Sequence, residues 1–88
     1  MVDNTLTFKI ARINKIEGSG LMKAYVDLIV NDLLLIKGLR IIEGKKGLFV
    51  SMPQEPGKDK RWYETVRCLT DDIRSRITQT VMEAYHSN

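Results

Sequence analysis

The spacing of the apolar residues changes once along this chain, near Thr70, and that change constrains the fold more than any other feature. Before it, apolar residues recur at every second position, as in β-strands with one buried face. After it, they recur at helical spacing: Ile73, Ile77, Val81, Ala84 and Tyr85. Thr70 suits a helix N-cap, and Asp71 and Asp72 follow in the first turn, where the helix dipole favours carboxylates. The sequence therefore predicts an α+β fold, a small antiparallel β-sheet of four to five strands with a C-terminal α-helix packed on it.

The alternating pattern predicts strands over residues 5–13, 21–30, 33–43, 48–52 and 62–69. It changes phase at Ala11, which indicates either a one-residue bulge or the end of the first strand. Asn31 and Asp32 tolerate positive φ, so they predict a hairpin turn between the second and third strands. The apolar run 33–36 is interpreted as buried on both faces, and Gly38 as a bulge or a close backbone approach. Residues 54–61 are predicted to form a mobile loop.

The 88 residues predict one domain, residues 1–88, with a thin core that pairing with a second copy would support. The net charge of +3 is compatible with nucleic-acid binding but does not require it. Cys68 is the single cysteine, which excludes an intrachain disulfide and favours a reducing compartment. No signal-peptide pattern is visible, and the longest apolar run is far shorter than the roughly 20 residues that a membrane helix needs. We therefore expect a cytoplasmic protein without membrane contact.

The sequence offers no group of residues typical of catalysis. His86 is the sole histidine and lies two positions from the C-terminal residue, where chains tend to fray. Cys68 has no obvious histidine or metal-ligand partner and is interpreted as a small buried hydrophobic residue. The glycines fit neither a dinucleotide-binding nor a phosphate-binding loop. We expect no enzyme activity, no catalytic or metal site, no cofactor and no small-molecule substrate.

The basic residues allow a more specific hypothesis. Lys58, Lys60 and Arg61 are crowded into one loop and are followed by Trp62 and Tyr63. A cationic loop beside aromatic rings can contact phosphates and stack on unpaired bases. The alternative is a solvated loop beside core aromatic residues. Three further arginines are candidates for phosphate contacts, namely Arg67, Arg74 and Arg76. The alternative role of two of them is structural, since Asp71 is spaced to form a surface ion pair with Arg74, and Asp72 with Arg76.

Three stretches of the chain resemble one known family. Residues 39–53 read LRIIEGKKGLFVSMP, residues 20–24 read GLMKA, and the helical segment runs from TDDIR at 70–74 to VMEAY at 81–85. They are similar to the blocks R-V-I-[DE]-G-x-x-G-L-F-V-x-M-P, G-R-M-[KR]-A and N-x-x-x-R-x-x-I-x-x-A-V-L-x-E-Y of the SpoVG family, bacterial proteins named for stage V sporulation and septation. The likeness extends from Phe8 to about Tyr85.

This resemblance implies a sheet with a C-terminal helix, a homodimer, and site-selective binding to DNA and RNA in a regulatory role. The processes implied are septation, sporulation and the expression of cell-surface genes. The chain departs from the family after Pro53, where a basic S-K-R-T-P-D-G loop becomes QEPGKDKR over 54–61. The family's F-R-D-I-A-H-P-I strand becomes WYETVRCL over 62–69. A second hypothesis is a protein-interaction module in septation that does not bind nucleic acid directly.

Overall fold

The computed structural model describes residues 6–18 and 20–87 and confirms the α+β fold. Four antiparallel strands form the main sheet in the order β1-β2-β3-β4, and two short strands form a separate antiparallel pair. One helix follows. The elements are β1 (Phe8–Lys15), β2 (Met22–Val30), β3 (Leu34–Gly44), β4 (Gly47–Ser51), β5 (Gln54–Pro56), β6 (Trp62–Glu64) and α1 (Asp71–Ser87). Thr5, with which the first predicted strand begins, lies outside the described residues.

The core lies between the inner face of the main sheet and α1. The alternation in β2 buries Ala24, Val26 and Leu28 on this face, and the helix contributes Ile77 and Val81. Full burial of each large aliphatic side chain contributes about 1.5–3 kcal/mol, so these contacts hold the helix on the sheet. The predicted apolar stripe is thereby confirmed as the packing surface of α1.

The start of α1 has the predicted cap. The Thr70 hydroxyl accepts a hydrogen bond from the backbone N–H of Ile73 at 3.2 Å. This bond satisfies one of the N–H groups that have no partner within the helix. Asp71 and Asp72 lie in the first turn.

Two irregularities that the sequence indicated are bulges. Ile10 pairs with Leu28 and Arg12 pairs with Asp27, so Ala11 is an inserted residue and β1 continues beyond it. In β3 the register against β2 shifts across Gly38, whose φ of +93° is unfavourable for residues with a side chain. The turn at Asn31 and Asp32 is also confirmed, with φ values of +53° and +57°.

The interpretation of residues 33–36 as buried on both faces is wrong. Leu33, Leu34 and Leu35 are 83%, 64% and 54% exposed, and only Ile36 packs against the core. These leucines lie at the turn end of the β2–β3 hairpin, whereas the helix approaches β1 and β4. The sheet therefore continues past the region that the core covers, and an apolar patch remains on the surface.

Residues 54–69 also differ from the prediction. The expected loop 54–61 contains β5, which pairs with β6, and the expected strand 62–69 ends at Glu64. The chain turns there because Thr65 donates from its backbone N–H to the Pro53 carbonyl at 2.9 Å. Val66 and Cys68 then pack against the core without forming a strand, so Cys68 is half-buried. Within residues 6–18 and 20–87, no helix is long and apolar enough to cross a membrane.

Candidate nucleic-acid interface

The loop between β5 and β6 presents three cations on a defined backbone. The backbone N–H of Gly57 donates to the Arg61 carbonyl at 2.7 Å, and that of Lys60 donates to the Gly57 carbonyl at 3.1 Å. Lys60 adopts a φ of +67° at this turn. Lys58, Lys60 and Arg61 are exposed, and no carboxylate within the described part of the chain forms an ion pair with them. Their charges are therefore available to a ligand.

Asp59 and Tyr63 hold this loop in shape. The Tyr63 hydroxyl donates to Asp59 Oδ2 at 2.5 Å, and the Arg61 backbone N–H donates to Asp59 Oδ1 at 3.1 Å. The bond from Tyr63, followed by that from Arg61, lowers the pKa of Asp59, and the same Tyr63–Asp59 bond raises the pKa of Tyr63. The Tyr63 ring lies over Gly57, where a Cβ would stand 2.7 Å from Tyr63 Cε2. A larger residue at position 57 would displace this ring.

Trp62 lies against the main sheet beside Arg40. The guanidinium carbon of Arg40 lies 5.4 Å from the Trp62 ring centroid and 5.9 Å from that of Tyr25, within cation–π range of both. The rings stay 56% and 42% exposed. In the register, Tyr25 pairs with Arg40, and Arg40 pairs with Ser51. The sequence hypothesis included Trp62 but missed Arg40 and Tyr25, although the placement of Tyr25 on the polar face of its strand signalled an exposed ring.

A groove of about 210 Å³ adjoins Tyr25 on the same outer face of the sheet. Its other lining residues are Arg12, Asn14 and Asp27. Arg12 pairs with Asp27 in the strand register, and Asn14 pairs with Tyr25. Although Arg12 and Asp27 are neighbours across the strands, the described structure shows no ion pair between them. The groove therefore offers hydrogen-bond donors and a carboxylate acceptor side by side.

The other three predicted binding residues lie near the helix and have partners within the protein. Arg67 Nε lies 3.0 Å from Glu64 Oε1, and Arg74 Nη2 lies 3.9 Å from Glu64 Oε2. Arg76 stacks on Phe8 at 5.2 Å and donates a hydrogen bond to the Leu6 carbonyl. The structure thus brings Lys58, Lys60 and Arg61 together, places Arg67 and Arg74 around one carboxylate, and uses Arg76 to attach the first strand to the helix.

The remaining chemically reactive residues lie apart from this surface. His86 is exposed in the last turn of α1, where its ring contacts Tyr85 edge to face at 5.4 Å. The Cys68 thiol lies 3.9 Å from the Met52 sulfur. Within the residues that the structure describes, no group of three or more histidine, cysteine or acidic side chains is arranged to hold a metal ion.

Comparison with known proteins gives a consistent result. The SpoVG family model matches residues 7–87. A relative from Symbiobacterium thermophilum is 39% identical over 74 residues, which cover 84% of this chain and 53% of the relative. Relatives from Archaeoglobus fulgidus and Staphylococcus carnosus are each 36% identical over 74 residues, covering 87% and 69% of their lengths. All three are named SpoVG with a provisional assignment to septation, and none of these names refers to a catalysed reaction.

Proposed function

This chain belongs to the SpoVG family, and on that premise we propose that it is a cytoplasmic, homodimeric regulatory protein that binds DNA and RNA site-selectively. The processes we assign to it are septation, sporulation or the expression of cell-surface genes. It acts by binding and carries out no reaction. The septation assignment follows the names of its relatives, and the binding assignment rests on the residues of the β5–β6 hairpin.

The observation that carries this proposal is the set of three exposed cations in one ordered loop. Lys58, Lys60 and Arg61 lie beside the exposed ring of Trp62 and have no carboxylate partner among the described residues. Lysine and arginine that neutralise phosphates release condensed counterions, which drives association with nucleic acid. We assign Arg67, Arg74 and Arg76 a lesser role in binding, because Glu64 and the first strand already engage them.

The experiment that tests the proposal is a titration of duplex DNA and single-stranded RNA probes at several salt concentrations. We expect the logarithm of the association constant to fall linearly with the logarithm of salt concentration, by about 0.9 for each phosphate neutralised on duplex DNA. Competition with unrelated sequences measures the site selectivity. If no probe binds in a salt-sensitive way at micromolar protein, the proposed function is wrong.

The homodimer is supported by the apolar patch at the end of the β2–β3 hairpin. Leu33, Leu34 and Leu35 are mostly exposed and form a shallow surface together with Ile29 and Ala11. Contiguous apolar patches of this kind mark contact surfaces between proteins. A second copy covering this patch would also double the number of cations presented to nucleic acid.

Sedimentation measures the homodimer directly. We expect the natural chain to sediment as a dimer and Leu33→Ser/Leu35→Ser as a monomer. Leu69→Ser is the matched control, because Leu69 is 90% exposed at a separate position. A dimer that survives the double substitution would place the interface elsewhere.

The same patch favours a second candidate, a protein-interaction module that acts in septation without contacting nucleic acid. The two functions separate in cells that carry Lys60→Glu/Arg61→Glu. If nucleic-acid binding and the cellular phenotype are lost together, the regulatory function is supported. If binding is lost and the phenotype is unchanged, the interaction module is supported.

A further inference from the structure

The outer face of the main sheet, opposite α1, carries an arrangement that the cationic hairpin does not explain. Two exposed aromatic rings, Tyr25 and Trp62, both lie within cation–π distance of the Arg40 guanidinium. We propose that Tyr25, Arg40 and Trp62 form a platform on which unpaired nucleobases stack. This inference rests on the proposed function and deepens it, because it assigns single-stranded nucleic acid as the ligand class of a second surface, next to the hairpin cations.

The state of Arg40 supports a ligand on this platform. Within the described ranges, 6–18 and 20–87, its Nε is buried without a hydrogen-bond partner, and no carboxylate forms an ion pair with its guanidinium. A buried donor without a partner is unfavourable, because it has lost its hydrogen bond to water. Because this Nε is inaccessible to solvent, a base carbonyl or a phosphate oxygen supplies the missing acceptor only once the Arg40 side chain rotates outward. The same guanidinium plane can itself stack on a base.

The groove beside Tyr25 suits the edge of a base better than a phosphate. Arg12 and Asn14 supply donors there, and Asp27 supplies an acceptor. The Asp27 carboxylate repels a phosphate but accepts hydrogen bonds from the amino and imino groups of bases. Arg61 directly precedes Trp62 in the chain, and the hairpin cations are not among the residues that line the groove. We therefore assign the bases to the sheet face and the backbone phosphates to the hairpin.

Stacking of this kind requires unpaired bases. In a duplex the base faces are covered by their neighbours, whereas in a single strand each face is accessible to an aromatic side chain. The hairpin cations bind phosphates of either form. The platform therefore predicts a preference for single strands over the same sequence in a duplex, which the cations alone do not provide.

Trp62 is the single tryptophan, so its fluorescence reports on the platform directly. The test titrates the natural chain with a mixed-sequence single-stranded oligonucleotide and with the same strand annealed to its complement. Anisotropy of a labelled strand measures binding in parallel. We expect quenching of Trp62 emission by the single strand that saturates with binding, and weaker quenching by the duplex at equal occupancy.

Substitutions then separate stacking from charge. Tyr25→Leu and Trp62→Leu should each weaken single-strand affinity by about 5- to 100-fold with an unchanged salt slope, because neither ring neutralises a phosphate. Lys60→Ala should instead reduce the slope by about 0.7 for a single strand. Tyr85→Leu is the matched control, since it removes a ring that also contacts a cation, Lys15 at 4.9 Å, but lies on the helix. Circular dichroism confirms that each variant is folded.

Three outcomes would overturn the platform. Salt-sensitive binding without Trp62 quenching, and with Tyr25→Leu and Trp62→Leu unaffected, would leave the proposed function intact and remove this inference alone. A Trp62 emission that changes with protein concentration in the absence of nucleic acid, together with loss of the dimer in Tyr25→Leu, would assign this face to a second copy. Absence of binding to any probe would contradict the proposed function itself and the platform with it.

Discussion

The β5–β6 hairpin and the region around the start of α1 carry cations of the same type in different surroundings. Lys58, Lys60 and Arg61 project from the hairpin without carboxylate partners in the described structure. Near the helix, Arg67 and Arg74 share the Glu64 carboxylate. The single negative charge of Glu64 offsets part of the field of these two arginines that a phosphate would sense. From this comparison we expect the partner of a basic side chain, as well as its presence, to determine how strongly it would attract a phosphate.

The largest expected effect is a loss of affinity for nucleic acid when the three cations of the β5–β6 hairpin are removed. Lys58→Ala/Lys60→Ala/Arg61→Ala should lower affinity for duplex DNA at least about tenfold in 0.1 M salt, with a slope reduced by about 0.9 for each lost contact. The unfolding free energy should stay within about 0.5 kcal/mol of the natural chain, because these are exposed side chains.

The matched control for this prediction is Arg67→Ala/Arg74→Ala/Arg76→Ala, which removes the same net charge. We expect a smaller loss of affinity and a larger loss of stability. Anisotropy titrations and urea unfolding measure the two quantities. Equal losses of affinity in both variants would mean that net charge alone determines the affinity, and that it makes no difference from which region the cations are removed.

The second prediction concerns Arg76, whose guanidinium contacts the Phe8 ring and the Leu6 carbonyl. Arg76→Met keeps the aliphatic stem but removes these contacts. Because hydrogen bonds to charged groups contribute about 1.5–3 kcal/mol, the unfolding free energy should fall by about 1–3 kcal/mol. Urea unfolding measures this change. A variant with natural stability and a reduced salt slope of binding would instead make Arg76 a phosphate contact.

The third prediction converts engaged cations into available ones. Glu64→Gln removes the carboxylate that Arg67 and Arg74 share, so affinity for nucleic acid should rise about two- to fivefold and the salt slope should steepen. The unfolding free energy should fall by about 0–1 kcal/mol, as for surface ion pairs, because both arginines are largely exposed although Glu64 is half-buried. Glu55→Gln is the control, since it adds the same charge at an exposed glutamate without an ion pair in the described structure. Equal gains in both variants would show that Glu64 does not restrain the arginines.

The sequence predicted the four strands of the main sheet and α1 because local physical rules determine them. The alternation in β2, the phase change at Ala11 and the cap at Thr70 each depend on neighbouring residues, and the structure confirms all three. The burial of residues 33–36 was predicted wrongly, since burial depends on where the helix lies over the sheet. No local pattern reports that position.

The candidate site was predicted only in part for a similar reason. The loop cations and Trp62 are adjacent in the chain, so composition revealed them. Arg40 and Tyr25 meet Trp62 only through strand register and the placement of the β5–β6 hairpin. The partner of Arg74 was assigned from helical spacing to Asp71, whereas its ion pair in the structure is with Glu64, on a strand. Contacts between elements decide which charges are neutralised.

The smallest predicted effect concerns how the hairpin keeps its cations in place. The Tyr63 hydroxyl lowers the pKa of Asp59, so Tyr63→Phe should raise that pKa toward its ordinary value of 3.8. Because the folded pKa lies below the unfolded one, the bond stabilises the loop above about pH 4 and is lost as the pH falls through the folded pKa. At high pH the same bond is lost when Tyr63 ionises, and because its pKa is raised above 10.0 the hydroxyl stops donating only beyond that value.

Carbon NMR of the Asp59 carboxyl group, titrated from about pH 2 to pH 6, measures the shift of its pKa. An unchanged Asp59 pKa in Tyr63→Phe would mean that the backbone bond from Arg61 maintains the low value, and that the tyrosine ring holds the loop only by packing on Gly57.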